Sequence, residues 1–171
     1  TLFYARRKQH QLRAPLDVAA RLIFLNKTCY NGLFRVNRKG EFNVPFGQYK
    51  TITYAKGFPA FRDAFSDWEF TAADVEAVRL RPDDFVYADP PYDVEFTAYA
   101  QGGFSWADQE RTARFLARHR GPVVLVNQAT HRIEALYRSL GYIVRFLDAP
   151  RRISCNGNRA PAKEILATRN L

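Results

Sequence analysis

The stretch FVYADPPYDVEF, Phe85 to Phe96, runs an apolar segment into an acid, two prolines and a tyrosine. Phe85–Ala88 reads as a short buried strand whose end is enforced by the residues that follow. Neither Pro90 nor Pro91 can donate to a ladder, and each fixes its own φ, so the strand must stop there. Asp89 and Tyr92 are thereby held on a stiff turn at a strand's carboxyl end. In open α/β sheets that is where ligands bind.

Downstream of this turn the pattern alternates. Ser105 and Asp108 form a capping pair that predicts a helix through about His119. Pro122–Val126 is a second buried-type strand, with Asn127 at its end. Thr130 caps a helix carrying Ile133, Leu136 and Leu140, and Gly141 suits its C′ position. Tyr142–Leu147 alternates, and Glu164–Thr168 predicts a final strand. This order implies an α/β domain with a mainly parallel, right-handed sheet.

Upstream, Pro15 can open a helix in which Val18, Leu22, Leu25 and Cys29 recur at three- and four-residue spacing. It should fail near Asn31-Gly32. The segment from Tyr30 to Lys50 then holds three glycines, four asparagine or glutamine side chains, four basic residues and five aromatics. The chain so divides into residues 1–59, helical with a long basic loop, and residues 60–171, half of an α/β sheet domain.

Composition sets the partner class. The 171 residues are 47% apolar and 25% charged, which is ordinary for a globular chain. The surplus is not ordinary: 26 Lys+Arg against 17 Asp+Glu give +9, which favours a polyanion, most often nucleic acid. Cys29 and Cys155 are the only cysteines, with no CxxC, which argues against a zinc site or disulfide framework and fits a reducing interior. No apolar run approaches the ~20 residues that span a bilayer. In the opening TLFYARRKQH the charges follow the apolar residues, unlike a signal peptide. The lack of an initiating Met leads us to expect a chain that begins inside a longer protein. His10, His119 and His131 have no partners at catalytic spacing and read as surface residues.

DPPY after an apolar strand, followed by FTAY (Phe96–Tyr99), resembles the pattern of N6-adenine DNA methyltransferases. YNGLFR (Tyr30–Arg35) and GEFNVPFGQYK (Gly40–Lys50) resemble the target-recognition region of the Dam subgroup. RRISCNGNRAPAKEIL (Arg151–Leu166) is similar to that subgroup's final loop and strand. The resemblance covers nearly the whole chain. It implies part of a Rossmann-like S-adenosylmethionine-dependent methyltransferase sheet, joined to a mainly helical target-recognition region. It also implies methyl transfer from S-adenosylmethionine to adenine N6 in duplex DNA, within GATC and with the base flipped. A monomeric enzyme of a bacterial cytoplasm, nucleoid-associated, or one encoded by a phage is the matching expectation.

The chemistry makes sense of the turn. The exocyclic amine of adenine is a poor nucleophile because its lone pair is delocalised into the ring. Asp89 can accept one N–H and the Pro90 carbonyl the other, and a proline turn offers acceptors only. Positive charge developing on the nitrogen strengthens both bonds. A carboxylate is a weak base, so Asp89 orients and stabilises, with proton loss after transfer. By resemblance Asp89 also lies against the cofactor, Pro90 and Pro91 shape the turn, and Tyr92 stacks on the flipped base. An isolated DPPY has a plainer explanation, a turn with a solvated Asp and a packed Tyr; FTAY and YNGLFR weigh against it.

Each residue type in the basic segment has a use. Arg35 has the fork for a guanine's O6 and N7. Leu33 and Pro45 can meet a thymine methyl, and Tyr30 and Asn31 can wedge into the vacated stack. Asn43 and Lys50 suit phosphates, which position without specifying. Gln48 stands where the subgroup often has a basic residue. Phe42 and Phe46 are expected to pack inward. Arg151, Arg152, Asn156 and Arg159 form either a phosphate-facing loop or a solvated turn, and Asn127 is placed to orient the DPPY turn.

The family's Phe-x-Gly-x-Gly cofactor loop is absent, and Gly102-Gly103, the one glycine pair, follows no strand. The expectation is the C-terminal part of a larger enzyme, with weak cofactor binding alone and an exposed sheet edge. Two alternatives remain at this stage: a DNA-binding module without activity, and an enzyme acting on amines in RNA or protein glutamine. Arg35 and its neighbours weigh against the last.

Overall fold

The computed structural model describes residues 1–55, 57–93, 103–149 and 162–171. Phe96–Tyr99 of the FTAY block, Gly102, Cys155 and the basic group Arg151, Arg152, Asn156 and Arg159 lie outside the described residues.

Pro15 sits at the first turn of α2 (Pro15–Thr28), where a missing N–H breaks no bond. The Arg21 guanidinium donates to the Arg6 and Arg7 carbonyls at 3.0 and 2.7 Å, holding α1 (Leu2–Arg7) against it. α2 stops at Thr28, and a 3-10 turn follows over Tyr30–Gly32, with Asn31 at φ 52°. The chain then folds back over the helix end. The Tyr30 N–H donates to the Pro45 carbonyl at 2.9 Å and the Gly47 N–H to the Thr28 carbonyl at 2.8 Å. A Cβ on Gly47 would lie 2.8 Å from the Cys29 carbonyl oxygen, so the approach requires glycine.

Phe3, Leu25, Cys29, Phe42 and Val44 form a small core here. Leu25 and Cys29 of the predicted helical stripe are buried, whereas Val18 and Leu22 are exposed. Phe42 packs inward. Phe46 does not: it is 47% exposed, with its ring 5.2 Å from that of Phe3, because the bridge to Cys29 holds it at the rim.

After α3 (Pro59–Ala64) comes the sheet: β1 (Val86–Ala88), β2 (Val123–Gln128), β3 (Ile143–Ala149) and β4 (Ala162–Arg169), in the order β1-β2-β4-β3. β1 and β2 are parallel, joined through α4 (Trp106–Ala117). β4 lies between β2 and β3 and is antiparallel to both. The expectation of a mainly parallel sheet is therefore corrected to a mixed one. A parallel return needs a crossover segment, usually a helix, and the sequence between β3 and β4, with Pro150, Gly157 and Pro161, offers no helical repeat.

Strand alternation explains the core. Leu125, Ala167 and Val144 are cross-strand partners on one face. There Ala113 and Leu116 of α4 and Ile133, Leu136 and Tyr137 of α5 (His131–Ser139) cover them. On the other face Tyr87, Ile143 and Leu147 are exposed. The buried-strand expectation for Phe85–Ala88 is corrected accordingly: Phe85 and Tyr87 are 60% and 61% exposed, since β1 ends the sheet and its outer face is uncovered by the described residues.

Helix punctuation follows the sequence. The Asp108 N–H donates to the Ser105 hydroxyl at 3.2 Å and the Ser105 N–H to the Asp108 carboxylate at 2.9 Å, a complete capping box. Ser105→Ala should cost about 1 kcal/mol and Ser105→Gly only a few tenths, read as a shift of the urea midpoint at constant slope. Gly141, at φ 80°, follows α5. His119 is not a surface residue. It is buried past the end of α4, with a ring nitrogen 2.8 Å from the Asp84 carbonyl oxygen, and so ties the helix to the approach of β1. Among the described residues no helix is long and apolar enough to cross a membrane.

Candidate active site

β1 and β2 run parallel with Ala88 opposite Leu125, so their carboxyl ends lie side by side. Beyond Ala88 the prolines carry the chain off the ladder. Asp89 is exposed there, Tyr92 is half-buried and Asp93 is 7% exposed. Asp89 and Pro90 line a cleft of about 510 Å³ whose walls come from β1, α4 and residues 73–80. Those walls are mainly apolar, with Val75, Val78, Val86 and Phe115 among them.

The far wall is tied down by Arg111 of α4, which pairs with Asp74 at 2.6 Å, Glu76 at 3.1 Å and Asp108 at 3.3 Å. The Arg111 hydrogen bond, and then the Glu76 N–H, hold the Asp74 carboxyl below its ordinary value. The Thr112 hydroxyl on the same wall is buried without a hydrogen-bond partner among the described residues. An unpartnered buried hydroxyl in a mainly apolar cleft, with the Asp89 carboxylate at its rim and Asp74 already paired to Arg111, fits a nucleoside-sized ligand whose cationic centre faces Asp89.

Beneath the turn lies a buried polar network. The Gln109 side-chain amide donates to the Pro91 carbonyl at 2.7 Å, and the Asp93 N–H donates to Asn127 Oδ1 at 2.9 Å. Thr130, the cap of α5, donates its hydroxyl to the Asp93 carboxylate at 2.8 Å. Arg132 grips that carboxylate bidentately, with Nε at 2.6 Å and Nη2 on the second oxygen. The Arg132 guanidinium lies over the Trp106 ring, 4.7 Å from its centroid. Burial pushes the Asp93 carboxyl up, but hydrogen bonds from Arg132 and Thr130 outweigh it, leaving the group below its ordinary value. Tyr92 is driven the other way. Burial first, then the negative charges of Glu164 and Asp89 and a hydrogen bond with Glu164, raise its hydroxyl well above the usual range and keep it neutral.

The structure thus brings Asp89, Pro90 and Pro91 together at the cleft, leaves Tyr92 outside its lining and bonded to Glu164, and ties Asn127 to the Asp93 N–H behind the turn. The sequence alone did not single out Gln109, Asp93 or Arg132. A signal for Gln109 existed: with Thr112, Ala113 and Leu116 it forms the inward stripe of α4, where a polar residue calls for an explanation.

In the basic segment Tyr30, Asn31, Pro45 and Lys50 are exposed, and Leu33 is half-buried against the small core. Arg35 is exposed and locked to Asn43, its Nε donating to Asn43 Oδ1 at 2.8 Å and Nη2 approaching the Asn43 carbonyl at 3.4 Å.

The D12 class N6 adenine-specific DNA methyltransferase model matches residues 2–147. The chain belongs to this family. The DNA N-6-adenine-methyltransferase of Escherichia phage P1 is 37% identical over 168 residues, covering 91% of this chain and 22% of that protein. Type II methyltransferase M.MjaIII of Methanocaldococcus jannaschii is 36% identical over 82% of this chain and 52% of its own. The DNA adenine methylase of Serratia marcescens is 33% identical over 96% of this chain and 66% of its own. The D12 chain here spans about half the length, or less, of the first of these relatives. Its four-stranded mixed sheet with α4 and α5 is consistent with an S-adenosylmethionine-dependent methyltransferase fold.

Proposed function

We propose that this chain carries the base-activating turn and the duplex-reading region of an enzyme that methylates adenine N6 in double-stranded DNA. One observation carries the proposal: in a member of the D12 family, the DPPY turn leaves the ends of two parallel strands with Asp89 at the rim of a cleft. Asp89 accepts one N–H of the target amine and the Pro90 carbonyl the other, localising the lone pair. Tyr92, half-buried and neutral, supplies a ring face for a base taken out of the stack. S-adenosylmethionine, when bound, supplies an electrophilic methyl on a sulfonium. Asp89 at the rim, the Thr112 hydroxyl and the apolar wall are the groups that would hold it.

Arg35 reads a guanine in the major groove, Leu33 and Pro45 meet a thymine methyl, Tyr30 and Asn31 fill the vacated stack, and Lys50 contacts phosphate. The target that results is GATC. Asn43 serves here as the brace of Arg35, since its Oδ1 already takes the guanidinium Nε. Arg35→Ala should lose about 1–3 kcal/mol of discrimination at one base pair, and Asn43→Ala part of the same amount, in competition binding against single-substituted duplexes. Equal weakening on every duplex would instead make Arg35 a phosphate contact. One copy carries all these groups, which suits a monomeric enzyme of a bacterial or phage-infected cytoplasm.

The test uses labelled S-adenosylmethionine with hemimethylated duplexes that do or do not contain GATC, on this chain and on it within the longer protein. Label in adenine on GATC duplexes alone supports the proposal. Retarded duplex without label from either form makes the chain a DNA-binding module instead.

A further inference from the structure

A proline turn presents carbonyls and no donors, so something must decide which carbonyl faces the cleft. Gln109 does so. Its Nε2 takes the Pro91 carbonyl at 2.7 Å, while its Oε1 accepts from Asn127 Nδ2 at 3.0 Å. Asn127 Nδ2 also donates to the Tyr137 hydroxyl at 3.2 Å, and its Oδ1 accepts the Asp93 and Gln128 N–H groups at 2.9 and 2.8 Å. Both amides are used in one sense only. Reversing either would set a donor against an N–H or an oxygen against a carbonyl.

Gln109 is 3% exposed and Asn127 0%, so water cannot replace a broken link. An apolar residue would fill the Gln109 position on the stripe of α4 without the desolvation penalty of a buried amide. The two links seize the chain at Pro91 and at Asp93, on either side of Tyr92. Asp89 and Pro90 then project from the end of β1 as the acceptor pair.

We propose that Gln109 and Asn127 are positioning residues, a buried amide relay from α4 through β2 that fixes the turn so that Asp89 and the Pro90 carbonyl meet the target amine together. This rests on the methyl-transfer proposal above. Neither side chain touches substrate; both act through the turn.

The test is steady-state methyl transfer to a GATC duplex, together with fluorescence of a separate duplex that carries 2-aminopurine at the target position as a probe of base extrusion. Gln109→Leu, close in size and without a donor, should lower kcat roughly 10- to 100-fold, the scale of a small misplacement of reacting groups. KM for duplex and for methyl donor should stay within about twofold of wild type, and 2-aminopurine should brighten as it does with wild type. Gln109→Glu regains a donor when protonated, so its kcat should climb as pH falls, an ionisation that wild type lacks. Wild-type kcat in Gln109→Leu overturns the relay. So does a loss of kcat matched by an equal loss of 2-aminopurine signal, which would mark a folding role. If Gln109→Leu does not fold, a Gln109→Glu kcat that is flat toward acid overturns it. A wild-type protein that retards duplex and transfers no label, both as this chain and within a longer protein, brings down the methyl-transfer proposal itself; active wild type beside an equally fast Gln109→Leu brings down the relay alone.

Discussion

Asp89→Ala should lower methyl transfer on the order of 10³-fold while leaving duplex affinity within about twofold, the scale of losing one preorganised group that meets developing charge. The asymmetry follows from where Asp89 sits. It is exposed at the mouth of the cleft, past the last ladder pair of β1, and it is no part of either apolar core. Its removal should therefore change stability by no more than about 0.5 kcal/mol, as for a surface residue. The groups proposed to hold duplex, Tyr30 to Lys50, lie on the segment that packs over the end of α2. Asp89→Asn keeps an acceptor oxygen and loses the charge, so it should fall between wild type and alanine. Gel shift and label incorporation on the same preparations separate the outcomes. Equal loss of binding and transfer would make Asp89 a folding residue and remove the central step of the proposed chemistry.

Local chemistry was legible wherever it is self-contained. Two prolines ended β1, Ser105 and Asp108 capped α4, and Thr130 and Gly141 bracketed α5, because each signal acts within a few residues of itself. The direction of β4 depended on a different kind of information. Strand order is settled by what lies between strands, and the proline-flanked segment after β3 was the clue to an antiparallel return. The apolar run Phe85–Ala88 suggested burial on both faces, but a strand alternates, and only Val86 and Ala88 face the helices. His119 was misread because it acts through the backbone carbonyl of Asp84, which no side-chain spacing reveals. Gln109 shows the opposite case: a polar residue at the core position of a helical repeat was visible, and its meaning lay in the turn above it. Arg132 and Asp93 are 39 positions apart, and no local pattern joins them.

That distant pair carries the largest expected effect on stability. Removing the partner of a buried charge is destabilising, because the remaining charge is stranded. Here the stranded group would be Asp93, 7% exposed, while the Arg132 side chain keeps 58% of its surface in water. Arg132→Ala should therefore lower the urea midpoint at pH 7, by less than the loss of a fully buried partner would, because water screens the exposed guanidinium. The sign of its pH dependence can be worked out. In wild type the Asp93 carboxyl lies below its unfolded value, so its contribution is present above that unfolded value and is lost as pH falls through the folded one. Without Arg132, burial acts with less opposition and raises the group, so the variant gains relative stability as the carboxyl takes a proton. The two stability curves should stand apart at neutral pH, draw together as pH falls below the ordinary carboxylate value, and meet only below the lowered folded value of Asp93. Asp93→Asn combined with Arg132→Ala should recover part of the neutral-pH loss, since no charge is then left in the interior. Parallel curves across that range would show that Arg132 acts by packing its guanidinium on Trp106 and not by compensating Asp93. Because Asp93 follows Tyr92 directly, the same variant should also loosen the turn, and its transfer rate should fall before its fold does.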